Sequence, residues 1–265
     1  MRLLLALKPL QTACTIPLNY AYYLSSAIYR WIEISSPSYE RFLHEEGYLL
    51  EGTLRRFKHF CFSQLFIEHS RIAGQEIFIN GSAMHWYISM PVEKSLQHLV
   101  IGMFESREFY IGNKVNRFAI HSVASVSDPQ WQRGMKFKLL SPVTVSTMKE
   151  HNGKLQPHYL LPDDGRLGEL LRSNIINKYI SLYGEEPDDT EFTCTLDQRY
   201  IERKQAAGKR ITTLTTIKQG LPEETRVRGF MCPLTIEGNP GLIRLAYESG
   251  LGEKGSMGFG MMEVV

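Results

Sequence analysis

The sequence predicts an α+β chain of two tandem ferredoxin-like (RRM-like) domains, and three observations predict it. Strand-like and helix-spaced segments in the first half alternate in an order close to β-α-β-β-α-β, the order of a ferredoxin-like unit. The second half repeats that order in outline, without a visible sequence repeat. Between the halves, Asp128-Pro129 and Gln130-Trp131-Gln132-Arg133-Gly134 interrupt the pattern, setting the expected domains at 1–128 and 129–265. A chain of 265 residues, 43% of them hydrophobic, has enough apolar content for two modest cores.

Residues 3–7 read as the first strand; Lys8-Pro9 ends the apolar run and no small-residue cleavage site follows, against a signal peptide. Pro17-Leu18-Asn19 supplies a turn and the expected cap of the next helix. In that helix Tyr20, Tyr23, Leu24, Ala27, Ile28, Trp31 and Ile32 fall at three- and four-residue steps and form one apolar stripe. Tyr22, Ser25, Ser26 and Tyr29 lie on another face, which leaves the Tyr29 hydroxyl away from the core and free to act. After Ser35-Ser36-Pro37 a short helix carries Tyr39, Phe42 and Leu43, ends near His44 and stops at Gly47. Residues 58–67 read as one aromatic-rich strand, and 76–81 with 84–89 as a pair of strands turning at Asn80-Gly81. Pro91 opens a helix through Leu96, Leu99, Val100, Met103 and Phe104, and a strand over 118–127 closes the half.

The second half opens with strands at 136–140 and 143–146 around Ser141-Pro142. A long helix follows, with Leu167, Leu170, Leu171, Ile175, Tyr179, Ile180 and Tyr183 on its apolar face. Strands at 191–196, 211–217 and 225–236, a helix after Asn239-Pro240, a glycine-rich stretch and a final strand complete the chain.

That stretch interleaves Gly250, Gly252, Gly255, Gly258 and Gly260 with Leu251, Met257 and Phe259, so it reads as a shaped loop rather than a flexible linker. Repeated glycines permit positive φ and close backbone approach, and can aim several N–H groups at one anion, with phosphate the obvious candidate. Gly250-x-Gly252-x-x-Gly255 formally matches a dinucleotide-binding fingerprint, but that motif needs a strand before it and a helix after it. Here a helix precedes and a strand follows. No Gly-Lys-Ser/Thr is present, which excludes a P-loop.

Cys14, Cys61, Cys194 and Cys232 are too scattered for a zinc site and suit buried thiols in a reducing compartment, so a cytoplasmic location is expected. No apolar run is long enough to span a bilayer. The net charge of +2 says little by itself, but basic residues gather at Arg55-Arg56-Phe57-Lys58, Arg199–Lys204, Lys209-Arg210, Arg226 and Arg228. Each patch taken singly fits a solvated surface. Asp163-Asp164 and Asp188-Asp189 lie in turn-like stretches beside helix ends, where capping explains them better than a metal. No RNP-like aromatic signature marks the strands.

The glycine stretch also has the pattern Gly-apolar-Gly, five residues, Gly-apolar-Gly, met by Gly250-Leu251-Gly252 and Gly258-Phe259-Gly260. With Pro17-Leu18-Asn19-Tyr20, Leu24-Ser25-Ser26-Ala27-Ile28-Tyr29, Phe42-Leu43-His44-Glu45, residues 57–63 and Leu140-Ser141-Pro142-Val143, it makes the chain resemble the CRISPR-associated endoribonucleases that process precursor CRISPR RNA. These form the Cas6 family of the RAMP superfamily. The specific matches cover the first quarter, the centre and the tail; the rest matches in element order.

The resemblance implies the double ferredoxin-like fold and a metal-independent endoribonuclease that needs no cofactor. In such enzymes the 2′-hydroxyl attacks the adjacent phosphate, leaving a 2′,3′-cyclic phosphate and a 5′-hydroxyl. It further implies Tyr29, His44 and Lys58 as the catalytic group: an imidazole as base or acid, a tyrosine partner and a charge stabiliser. His59, beside Lys58, is the alternative imidazole. Gly250, Gly252, Lys254, Gly255, Ser256, Gly258, Gly260, Arg55 and Arg56 are the expected RNA contacts. CRISPR repeat RNA is the expected partner, with CRISPR effector-complex proteins as further partners; no membrane is expected, and monomer and homodimer both stay open. Two rival functions stand beside it: a non-catalytic RNA-binding subunit of an effector complex, and a ferredoxin-like module for a small ligand.

Overall fold

The computed structural model describes residues 1–80, 83–151 and 153–265. The first sheet is built on the strand Arg2–Pro9, which pairs antiparallel with Arg117–Val126 on one side and Met84–Ser89 on the other. Cys61–Phe62 and Phe66–Ile67 both pair with the outer side of Met84–Ser89. Leu3, Leu5 and Leu7 alternate into the core. Helix α1 (Ala21–Ser35) covers them with Leu24, Ala27, Ile28, Trp31 and Ile32, as its spacing predicts. After α2 (Pro37–Arg41), α3 (Glu93–Glu105) crosses α1 closely. Gly102 permits this, since a Cβ there would stand 1.7 Å from the Trp31 carbonyl oxygen.

The second sheet is built the same way on Gly134–Leu139, flanked by Leu234–Gly238 and Met262–Val264, with Phe192–Leu196 outside Leu234–Gly238. Helices α4 (Leu167–Tyr183), α5 (Gln198–Ala206) and α6 (Pro240–Ser249) belong to this half. In each half, numbering only the strands of its β-α-β-β-α-β unit, the spatial order is fourth, first, third, second. The chain is therefore α+β with two ferredoxin-like units, each over its own core. Arg2 joins them: its buried guanidinium donates to the carbonyls of Met262 (2.8 Å) and Tyr247 (2.7 Å) and lies 3.4 Å from the Tyr247 ring centre.

Several local expectations fail for identifiable reasons. The span 58–67 is not one strand: His59 takes φ +48° and breaks the chain direction, and at Gln64 the backbone N–H turns away to Leu140. The strands Glu76–Ile79 and Met84–Ser89 do not form a hairpin. The first pairs with Cys14–Pro17 and Ser70–Ala73 in a separate three-stranded sheet, and the Gly81 end of the expected turn lies outside the described residues. Asn19 does not cap α1. Its side chain reaches across to the other half, accepting from the Thr216 N–H (3.0 Å) and donating to Gln219 (2.9 Å).

In the second half Val143 forms one bridge to Phe230, and the strand begins only at Ser146, in a hairpin with Lys154–Tyr159. The span 225–236 divides into Thr225–Phe230 and Leu234–Gly238, because Pro233 has no N–H for a ladder. Arg199–Lys204, read only as a basic patch, lies within α5, capped by Asp197 accepting from the Tyr200 N–H. Lys178 was missed altogether: it shares the buried face of α4 with Leu171 and Ile175.

Candidate functional site

The site begins at the C-terminal end of α6, where the last carbonyls have no helical partner. Asn239 starts this helix by accepting from the Gly241 N–H (2.8 Å). At the other end Tyr247 O accepts from Arg2, Glu248 O from the Cys61 thiol (3.7 Å), and Ser249 O and Gly250 O from Lys178 Nζ (3.4 and 2.5 Å). Two buried cations, one from each half, thus hold the negative end of the helix dipole. Burial lowers the Lys178 pKa to about 8.

From this root the glycine stretch folds back on itself. Leu251 N–H donates to Gly260 O (2.8 Å), and a Cβ on Gly260 would stand 2.2 Å from Leu251 O. Glu253 N–H donates to Thr144 O, Met257 N–H to Lys254 O, Gly258 N–H to Gly255 O and Gly260 N–H to Pro142 O. Of the five glycines, Gly258 and Gly260 thus direct their N–H groups into the protein. Gly250, Gly252, Gly258 and Gly260 are buried, and what the loop presents is Lys254, exposed, with Gly255 and Ser256, half-buried.

Tyr29, His44 and Lys58 come together beside Ser256. His44 is exposed on a π-helical turn, Phe42–Glu46, closed by the Gly47 N–H donating to Phe42 O (2.6 Å). The Tyr29 ring meets His44 edge-on at 5.0 Å and Phe60 at 5.6 Å, and its hydroxyl hydrogen-bonds Ser256. Tyr29 is thus packed against the first core rather than standing free, and burial raises its pKa, partly offset by the Ser256 bond. Lys58 Nζ donates to the His44 carbonyl (2.6 Å). Burial and Arg56 lower the Lys58 pKa, while Glu40 opposes them. Gly47, read from sequence only as a helix stop, makes this approach possible. Its φ is +65°, and a Cβ there would stand 2.7 Å from Phe57 O and 3.1 Å from Lys58 Nζ.

His59 lies on the other side of the chain, buried. Its Nε2 is 3.0 Å from Ser181 Oγ, which itself donates to Lys178 O, so Nε2 carries the proton. Burial and Lys178 pull its pKa down to about 3, and the ring is neutral. Of the two candidate imidazoles, His44 is the exposed one.

Lys58 and Ser256 also line a cleft of about 830 Å³ between the two halves. Residues 55–60 form one wall, and residues 145–148, α4 and the glycine loop form the others. Arg55, Arg56, Lys58, Lys178 and Lys254 face one acidic residue, Glu253, whose carboxylate accepts from Ser146 N–H (3.1 Å) and Oγ (2.8 Å). The cleft is therefore electropositive, suited to a polyanion, with the Tyr29–His44 pair beside its Lys58 end. Arg226 and Arg228 lie exposed on an outer strand away from this lining. Asp164 is held by Arg166 and Asp189 by Arg133. Among the described residues no group of three or more His, Cys, Asp or Glu could hold a metal ion.

Residues 126–264 match the family model for the C-terminal part of CRISPR-associated protein Cas6, and residues 15–124 match the N-terminal one. The chain is 29% identical over 251 residues to CRISPR-associated endoribonuclease Cas6 1 of Methanocaldococcus jannaschii, covering 93% of this chain and 86% of that protein. It is 28% identical over 266 residues to the CRISPR-associated endoribonuclease Cas6 of Pyrococcus furiosus, covering 100% and 90%. Among solved structures, a Cas6-related protein of P. furiosus superposes with a TM-score of 0.82 at 26% identity, over 100% of this chain and 98% of that one. An RAMP protein described as binding different RNA substrates gives 0.81 at 25%, over 100% and 99%. On the matched models, which span almost its whole length, the chain belongs to the Cas6 family of CRISPR-associated proteins.

Proposed function

We propose that the protein is an endoribonuclease that cuts precursor CRISPR RNA within its repeats, without a metal ion, by attack of a 2′-hydroxyl. The observation that carries this reading is the grouping of Tyr29, His44 and Lys58 at one end of an electropositive cleft. Relatives named as CRISPR-associated endoribonucleases support it. In the reaction the 2′-oxygen loses its proton and bonds to phosphorus, while the bond from phosphorus to the 5′-oxygen breaks and that oxygen gains a proton. The products are a 2′,3′-cyclic phosphate and a 5′-hydroxyl. An exposed imidazole serves either proton transfer. Tyr29, whose phenol burial keeps protonated, acts as a hydrogen-bond donor, and Lys58 lies where positive charge stabilises the crowded phosphorane.

In the same reading Lys254, Gly255, Ser256, Arg55 and Arg56 contact the RNA backbone, and the four buried glycines act by shaping the loop. The domain over 1–128 then supplies the cutting group and that over 129–265 the loop. A repeat RNA with a 2′-deoxy substitution at the cut site tests the chemistry: it is expected to bind and remain intact. Cutting of that substrate overturns the mechanism. A non-catalytic RNA-binding role on the same fold is the second reading, favoured by the engagement of Lys58 Nζ on a backbone carbonyl. Binding without cutting of the unmodified repeat decides for it.

A further inference from the structure

We propose that the flank of the RNA lying outside the cleft leaves over the exposed face of α1 and binds, through its phosphates, to a second basic surface built on Arg30 and Lys114. This rests on the RNA-cutting reading above. An endonuclease holds chain on both sides of the bond it breaks, and the cleft, with the catalytic group at one end, takes up one of the two flanks. The other has to cross the surface beyond Tyr29 and His44.

Helix α1 sets where that surface lies. One face of it meets the second half: Tyr22 packs with Ile217 and Phe259, Ser25 Oγ donates to Met257 Sδ (3.7 Å), and Tyr29 bonds Ser256. Successive residues of a helix point about 100° apart, so Arg30 stands beside Tyr29 on the face open to solvent, with Ser26 one turn earlier. Arg30 is held in place. Its guanidinium lies 4.7 Å from the centre of the Tyr110 ring and donates to the Tyr110 hydroxyl (2.6 Å). This sets it in the wall of an open depression of about 380 Å³ that Lys114 and Arg117 also line. The one carboxylate there, Glu108, is paired with Arg117, whereas Arg30 and Lys114 are exposed and make no ion pair among the described residues. Two positive charges are left uncompensated, and most of the Arg30 N–H donors stay free for phosphate oxygens.

Charge decides between this exit and the other one beside His44. Past Phe42 a second depression is lined by Ser36, Ser38, Tyr39, Lys94 and His98. Its single ammonium, Lys94, already lies over the Tyr39 ring (5.2 Å), and His98 Nδ1 is engaged by Ser35 Oγ (2.9 Å). A polyanion is drawn to the surface with the larger net charge. Glu33, exposed on the same face of α1 beyond Arg30, repels phosphates and turns the strand to the Ser26 side.

The test uses the full-length protein and a CRISPR repeat RNA made uncleavable by 2′-deoxy substitution at the cut site, together with two shortened forms that end at that site, one lacking the 5′ flank and one the 3′ flank. Affinity is measured across a range of salt concentrations. The double variant Arg30→Gln, Lys114→Gln is expected to bind the whole repeat about tenfold more weakly and to lower the slope of log affinity against log salt by about 1.4, the release expected for two phosphate contacts on a single strand. One shortened form, the one without the outer flank, is expected to bind wild type and variant equally. Lys114→Gln alone, on an exposed turn, is expected to show half of the slope change, and serves if the Arg30 substitution disturbs α1. Lys94→Gln is expected to change nothing. No loss on the whole repeat, an equal loss on all three RNAs, or a loss in Lys94→Gln instead overturns this inference alone, whereas a wild-type protein that does not bind the whole repeat overturns the RNA reading with it.

Discussion

His44 and Lys58 stood out in the sequence only through short contexts that resemble the Cas6 family; the fold brings Lys58 Nζ to the His44 carbonyl, and their catalytic role is the proposal made above. What covers Tyr29 was not legible. A helical face shows which residues share it, but the Ser256 that meets the hydroxyl comes from the far end of the chain. The role of Gly47 was equally hidden, since a glycine after a helix reads as a stop and only the fold shows Lys58 passing over it. Gly47→Ala places a Cβ at 2.7 Å from Phe57 O and at a left-handed φ. It is expected to slow cleavage at least tenfold while RNA binding, measured by filter retention, falls less than threefold, because Lys58 is displaced and the cleft is not; tighter loss of binding than of cleavage contradicts this.

At the scale of elements, the glycine loop was recognised as shaped, while the inward turn of the Gly258 and Gly260 N–H groups was not legible. Glycines spaced for an anion nest and glycines spaced for a self-crossing loop look alike in sequence; the bonds to the carbonyls of Pro142, Thr144 and Gly260 that make the crossing appear only in the fold. Gly258→Val puts side-chain atoms against the Phe62 ring at φ +85°, so a lower melting temperature with loss of RNA binding is expected. Lys254→Ala is expected to weaken RNA binding and reduce its salt dependence with no change in melting. A buried lysine on α4 adds a pH signature. The Lys178 pKa is about 8 in the fold and 10.5 for the free side chain. Between those values the unfolded chain binds more protons, so stability rises from pH 8 to 10.5, by up to about 3 kcal/mol. Urea unfolding of Lys178→Met is expected to lack that rise, and an undiminished rise assigns it to other groups.

At the scale of the whole molecule, the element order was enough to infer two ferredoxin-like units, and both sheets share one strand order. The errors fell where pairing is non-local. Residues 76–79 and 84–89 are adjacent in sequence but lie in different sheets, and Asn19 left its cap for a hairpin about two hundred residues away. Short-range patterns carry no information on such partners. The cleft is likewise a property of both halves together, lined from each and fixed by Arg2 and Lys178. The central claim, that this arrangement cuts repeat RNA through His44 without a metal, is tested most directly by one assay: labelled repeat RNA with wild-type protein and His44→Ala in excess chelator. The account predicts cleavage by the wild type and a loss of about 10²- to 10⁴-fold in the variant with RNA binding retained; full cleavage by His44→Ala, or none by the wild type until a divalent cation is restored, would contradict it.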